Sequence, residues 1–573
     1  MPSSLLLLPV VGLTLAWLSP LHLMPWPAWH GEVPVFVAVF LTALWALGRR
    51  MAGPQRSQPL PLTGMVLGLL ALVPLALVQP AMGMMPWWGD AWTIVLYVGL
   101  CVAAYLVGLE AARSRADLGP ILRVLAWTLL AAGVGSSLIA LIQAFELYPT
   151  WQLIARTGNL RRPGGNVAQA NQMATLLLMG VMGLVYLYEE RKLGRVAAAL
   201  LALVCCIGLA TTQSKTGLLS AYALAAWWWW FRRADSRLTA SGVVTVLAFA
   251  TIAYFAWPPV VTGFYLLTAE EAELIAYVTP EGSRQNASGG SRLVVWGQLL
   301  EAAAQRPWFG WGLRQTSVAL TSVLDAQPAS DAFAYGHSLL LDMLLGFGAP
   351  LAILFTAALA LWGWRRRDVP RDLAGWFLLG VCLPFGIHMM LEFPHAYAYL
   401  LAPVLFAIGI VDARRAQAAR IRVPAGLAAG AAVLVAALGA TSLIEYVDLE
   451  EDFRVARFEA RNLGSVPDGY ERPDIKVLTQ VAAFVNAARM KPQRGMPEQR
   501  LREARDAAYR FPSPALQHRY ALALVLNGDE EGGMRMLRVI RAMHGPYIYE
   551  EIRKQWQDLA WTTYPELLVV ALP

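Results

Sequence analysis

The stretch RKLGRVAAALLALVCCIGLATTQSKTGLLSAYALAAWWWWFRR, residues 191–233, decides the fold. Two apolar runs, centred on Leu203 and Ala223, are flanked at their far ends by Arg191, Lys192, Arg195 and by Arg232, Arg233. Between them lies a short polar turn, Thr211-Thr212-Gln213-Ser214-Lys215-Thr216-Gly217. A helix needs about 20 apolar residues to cross hydrocarbon, with roughly 17 to 25 tolerated, so this is a pair of spans with both basic ends on one side. Outward from this pair, similar runs centre on Leu13, Val39, Leu69, Val98, Leu130 and Leu178 before it, and on Leu247, Leu351, Leu379, Pro403 and Val433 after it. The pattern predicts an all-α polytopic membrane protein with about 12–13 transmembrane helices.

Composition excludes the soluble alternative. Hydrophobic residues make up 57% of the chain and charged ones 15%, where a soluble domain has about a quarter of its residues charged. The net charge of +7 does not point to nucleic acid, because the arginines fall in short loops between spans and no basic stripe or aromatic-basic module appears. Cys101, Cys205, Cys206 and Cys382 all lie in apolar stretches without metal-ligand spacing, so buried thiols are expected and a structural disulfide is not. The first apolar run, Leu5 to Leu18, follows Met-Pro-Ser-Ser with no basic segment, which predicts a retained first span.

Orientation follows from Lys and Arg in alternate loops. One set holds Arg49, Arg50 and Arg56; Arg113 and Arg115; the two clusters quoted above with Arg237; Arg365, Arg366, Arg367 and Arg371; and Arg414, Arg415, Arg420 and Arg422. These loops are predicted cytoplasmic. The turns His22 to Glu32, Gln79 to Asp90 and Glu392 to Ala398 contain no Lys or Arg, and Trp26, Trp29, Trp87 and Trp88 suit an outer aromatic belt. The predicted organisation is N-terminal transmembrane helices over 1–258, a large outer loop over 259–335, C-terminal transmembrane helices over 336–445 and an outer helical tail over 446–573. The loop carries Glu270, Glu271, Glu273 and Ser288-Gly289-Gly290-Ser291. In the tail, Leu501, Ala504 and Ala508, then Leu516, Tyr520, Ala523 and Leu524, follow helical periodicity on either side of Pro512 and Pro514. This resembles one helical hairpin of the tetratricopeptide kind.

Polar residues at span ends are the candidates for chemistry. Arg161-Arg162-Pro163-Gly164-Gly165-Asn166 leads to Gln169 and Gln172, three apart and expected on one helical face, where amides suit sugar hydroxyls. The bland alternative is a helix start capped by Asn166. Lys215 sits in the outer turn and can equally snorkel to headgroups. Arg292 precedes Val295, Trp296, Leu299 and Leu300 at helical spacing, then Pro307-Trp308-Phe309-Gly310-Trp311-Gly312. His337 opens a span, where the helix dipole disfavours imidazolium, as a general base requires. His388 and Glu392, four apart, lack a third metal ligand at suitable spacing, and a structural hydrogen bond or acceptor positioning is the preferred reading. They lead into Phe393-Pro394-His395-Ala396-Tyr397.

Lys215, Arg292 and His337, with Pro307 to Gly312 before the histidine, resemble the O-antigen ligase and polymerase superfamily of bacterial envelopes. The turn from Pro20 to Glu32, Gly89-Asp90, Arg162 to Gln172 and His388 to Tyr399 look like the protein O-oligosaccharyltransferases that glycosylate pilins and other proteins. The family has Arg in its Ser-Arg-Thr-Gly turn, where this chain has Lys215, which keeps the charge and loses the bidentate fork. The resemblance implies a GT-C-like bacterial inner-membrane enzyme with its active site facing the periplasm. It would move a preassembled glycan from undecaprenyl diphosphate to a Ser or Thr hydroxyl of a periplasmic protein such as pilin. No cofactor or metal is expected. It further implies His337 as base, Arg292, Lys215, Arg161 and Arg162 at the diphosphate, and Gln169, Gln172, Tyr397, His388 and Glu392 toward glycan or acceptor. Ligation onto lipid A core and O-antigen polymerisation are the neighbouring readings. A flippase for the lipid-linked sugar is the reading from another class, disfavoured because the polar motifs cluster at span ends and no repeat is visible.

Overall fold

The structure, a computed structural model, describes residues 7–52, 60–113, 115–147, 152–157, 160–268, 289–415, 421–460 and 470–572. Leu5, Arg56, Glu270, Glu271, Glu273, Ser288 and Arg420 lie outside the described residues. The first half runs α1 (Leu7–Leu18), α2 (Trp29–Ala52), β1 (Leu60–Leu62), α3 (Gly64–Leu70), α4 (Leu72–Ala81), α5 (Trp88–Ala111), α6 (Arg115–Ala144), α7 (Ala170–Glu189), α8 (Arg195–Thr212), α9 (Lys215–Trp230) and α10 (Ala240–Thr268). There follow α11 (Gly289–Gln305), α12 (Thr316–Val323), α13 (Leu339–Trp364), α14 (Leu373–Leu391), α15 (Ala398–Arg414), β2 (Ile421–Val423) and α16 (Ala425–Ala460). The tail folds as α17 (Thr479–Arg489), α18 (Glu498–Arg510), α19 (Pro514–Leu526) and α20 (Glu530–Thr562).

Among the described residues, ten helices are long and apolar enough to cross a membrane, with α3 and α4 together forming one of them, Gly64–Ala81. The remaining span centres expected from sequence, Leu13, Ala223 and Pro403, fall on the shorter helices α1, α9 and α15. The protein is therefore an all-α polytopic membrane protein, and its two three-residue strands merely pair antiparallel, Leu60 against Val423.

The chain divides into two compact units: Met1–Ala71, Leu96–Asn286 and Ala360–Ala437 form the first, and Leu72–Val95, Ala287–Leu359 and Leu438–Pro573 the second. This is an interleaving that a reading in chain order does not reveal. In the first unit, α6 and α7 approach closely at small residues. A Cβ at Gly183 would sit 2.4 Å from the Ala126 carbonyl oxygen, so the helix backbones touch as in small-residue membrane contacts. An internal ion pair, Arg366 with Asp412, also takes the Tyr105 hydroxyl at 2.8 Å.

The expected loop over 259–335 departs from the structure in two ways. α10 runs through its first ten residues to Thr268, because Trp257, Val261 and Tyr265 continue a four-residue stripe packed with Ala144 and Ala210, despite Pro258 and Pro259. The rest is not a separate module: Val295 and Leu299 of α11 and Leu320 of α12 share one core in the second unit with Ala504 and Ala508 of α18, Tyr520 of α19 and Ile540 of α20. The hairpin expected around Pro512 and Pro514 is present as α18 and α19, with Ser513 capping α19 through Leu516 N. α20 bends at Gly545, whose φ is 81°.

Candidate active site

In the first unit the polar network starts at the turn before α7. Ala168 adopts a left-handed conformation (φ 57°), which reverses the chain and leaves Gln169 extended. The Gln169 Oε1 then accepts from Gln172 N at 2.6 Å and caps α7. The cap is thus Gln169 rather than Asn166, and the two glutamines do not share a helical face. Asn166 instead ties loops together: Nδ2 donates to the Leu18 and Leu153 carbonyls at 2.7 and 2.8 Å, and Oδ1 accepts from Ala155 N at 3.0 Å.

Asn171, buried in the first turn of α7, is the hub. Its Oδ1 accepts from Arg162 Nη2 and from Ser214 Oγ, each at 2.7 Å, while its Nδ2 donates to Glu392 Oε1 at 2.9 Å. Arg162 Nε also donates to the Thr212 carbonyl at 2.9 Å. One turn along the same face, Thr175 Oγ1 meets His388 Nδ1 at 2.8 Å. His388 and Glu392 thus face Thr175 and Asn171, the structural hydrogen bonding preferred from sequence. Glu392 is extended just past α14, so the pair does not occupy one helical face. The Tyr399 hydroxyl donates to Gln172 Oε1, and Tyr397 lies half-buried with its ring 5.5 Å from that of Tyr399. Glu32 holds the same turn: its Oε2 accepts from Ala398 N at 2.6 Å and from the Tyr97 hydroxyl at 2.8 Å.

Lys215 is the first residue of α9 and is exposed, one residue after Ser214, which caps that helix through Gly217 N at 2.9 Å. The structure therefore brings Arg162, Gln169, Gln172, the Lys215 turn, His388, Glu392 and Tyr397 into one region of the first unit. Arg161 is half-buried beside Arg162 in the chain.

The second unit holds Arg292 and His337. His337 has a left-handed backbone (φ 50°), and its ring lies 4.1 Å from that of Phe333. The residue before it is gripped from both sides: Gly336 N donates to Asp342 Oδ1 at 2.7 Å, and the Gly336 carbonyl accepts from Trp296 Nε1 at 2.9 Å. Thr316 Oγ1 donates to the same Asp342 oxygen at 3.2 Å. Arg292 lies one helical turn before Trp296 on α11, hence on the face that grips Gly336. The Pro307 to Gly312 turn is pinned to α13, with Trp311 N donating to the Leu345 carbonyl at 2.6 Å and Ala349 N to the Pro307 carbonyl at 2.8 Å.

Sequence reasoning passed over several members. Thr175 and Asn171 were legible as two polar residues four apart in an apolar span. The ion cluster at Asp90 was not: fully buried, it accepts from Arg510 Nη2 at 2.9 Å and pairs with Arg314 at 3.3 Å, partners hundreds of residues away in sequence.

Imidazole, guanidinium and amide groups gathered beside the ends of apolar helices mark the polar sites of a polytopic membrane protein. Comparison with known proteins says which kind. Residues 163–188 match the family "Protein glycosylation ligase", residues 197–356 "O-Antigen ligase", and residues 376–562 "Virulence factor membrane-bound polymerase, C-terminal". A General O-oligosaccharyltransferase of Acinetobacter baylyi is 30% identical over 413 residues, covering 72% of this chain and 70% of that protein. A ComP-specific O-oligosaccharyltransferase of the same organism is 24% identical over 337 residues, covering 58% and 59%. The chain belongs to the O-oligosaccharyltransferase family within the O-antigen ligase superfamily, and is a glycosyltransferase.

Proposed function

We propose that the protein transfers a preassembled oligosaccharide from undecaprenyl diphosphate to Ser or Thr hydroxyls of periplasmic proteins, pilin among them. It would act at the bacterial inner membrane with its site open to the periplasm. The likeness to the General O-oligosaccharyltransferase over 413 residues carries this reading. The bracing of His337 and the neighbouring Arg292 supports the roles assigned next.

In the proposed reaction the acceptor oxygen attacks the anomeric carbon as His337 takes its proton, and the bond from that carbon to the diphosphate oxygen breaks on the opposite side. The sugar configuration inverts and the carrier leaves as the diphosphate. Negative charge grows on the leaving oxygen, and Arg292 and Lys215 stabilise it, with Arg161 and Arg162 as further phosphate ligands. The reaction as written needs no metal. Gln169, Gln172 and Tyr397 serve the glycan or the acceptor, and His388 and Glu392 position them.

Co-expression with a pilin and a lipid-linked glycan tests the acceptor class. The expected result is pilin heavier by one glycan in intact mass. Glycan found on lipid A core, with pilin unmodified, would replace the protein acceptor with a lipid one.

A further inference from the structure

At the C-terminal ends of α7 and α9 the first unit has an open surface cavity of about 1080 Å³, and Arg191, Arg232, Arg367 and Arg371 on its lining are exposed. α7 has 20 residues, so this cavity lies about 30 Å along that helix from Asn171. Its lining contains six arginines and four carboxylates, from the 189–191 turn, the 230–237 turn and the 367–373 segment that starts α14.

The carboxylates are already engaged. Glu189 accepts from Arg233 Nη2 at 3.0 Å, Ser236 Oγ at 2.8 Å and Leu238 N at 3.0 Å, and so holds the second turn together. Glu190 pairs with Arg123 at 3.6 Å and Asp372 with Arg414 at 2.6 Å, two arginines that do not line the cavity. Asp235 pairs with Arg233 at 3.3 Å. Among the described residues, Arg191, Arg232, Arg367 and Arg371 form no ion pair, yet all four line the cavity. Arg232 lies over the Trp228 ring and Arg367 over Trp364, which fixes the guanidinium planes. Trp230 lines the same cavity and is 82% exposed, as at a membrane interface.

We infer that this cavity binds an anion carrying two phosphates. Planar guanidinium forks match phosphate oxygens bidentately, and four unneutralised charges in one recess exceed what a single phosphate balances. A phospholipid with two phosphates, such as cardiolipin, supplies that chemistry from the bilayer, and inorganic pyrophosphate supplies it from solution. Basic recesses between spans on the cytoplasmic side are suited to such headgroups.

The test uses the full-length protein in nanodiscs of phosphatidylethanolamine with or without cardiolipin, and in detergent with added pyrophosphate. Hydrogen exchange in the 231–238 turn should slow on adding one of the two ligands, and which one identifies the source. Native mass spectrometry should show retention falling on the order of tenfold in Arg191→Gln/Arg371→Gln and in Arg232→Gln/Arg367→Gln. Arg195→Gln, a basic residue of the same loop set outside the lining, should retain the ligand at the parental level. No protection by either ligand in the parental protein overturns the inference, as does an Arg195→Gln loss equal to that of the double variants.

Discussion

His337 combines two features that a packing histidine would not need together: a left-handed backbone and a preceding glycine clamped by Trp296 and Asp342. Such over-determined backbone positions cluster at active sites. Replacing His337 with Ala should lower glycan transfer by about 10²–10⁴-fold, the usual contribution of a general base, with membrane insertion unchanged. Asn171 answers to a different measurement. Asn171→Ala removes the shared partner of Arg162, Ser214 and Glu392, and should cost about 1–3 kcal/mol in detergent unfolding, since buried polar groups lose their bonds. Lys215→Arg restores the fork and should leave transfer at or above the parental rate. At this scale the sequence showed which polar residues stand at span ends but not their partners. Gln169, read from spacing as a sugar contact, also caps α7 through its side-chain amide oxygen, because one left-handed residue at Ala168 moved the helix start past it.

Elements were more legible than sites, since span length and hydrophobicity follow from the bilayer itself. All thirteen predicted span centres lie in helices, while α10 outran its predicted end because a buried aromatic stripe outweighed two prolines. Docking between elements was invisible in sequence. Gly89 at the start of α5 is an instance: a Cβ there would meet the Val477 carbonyl oxygen at 2.7 Å and Thr479 N at 2.8 Å. Those are backbone atoms and cannot swing aside. Gly89→Ala should therefore loosen the start of α17, with amide exchange there rising about tenfold or more. Asp90→Ala should be harsher, about 3–5 kcal/mol, because it strands the buried Arg510.

Across the whole molecule, chain order and architecture part company. The loop and the tail contribute to one core, and only contacts distant in sequence show it. That core carries a pH dependence. Burial pushes the imidazoles of His518 and His544 down to about 4 from an ordinary value near 6.5, so both are neutral at pH 7. Their folded values lie below the unfolded ones, so the stability they contribute is complete above about 6.5 and is lost as pH falls toward 4. With the intrinsic pH dependence of amide exchange divided out, protection in α19 of the intact protein should fall between pH 6 and 4.5 and stay level from 7 to 8. The family assignment makes transfer of an oligosaccharide the property everything else serves. The most direct measurement is the intact mass of an acceptor protein incubated with purified enzyme and lipid-linked glycan in detergent, where translocation has no meaning. The account predicts a mass increase of one glycan with the parental protein and none with His337→Ala. An unmodified acceptor with parental enzyme, or equal transfer by both proteins, would contradict it.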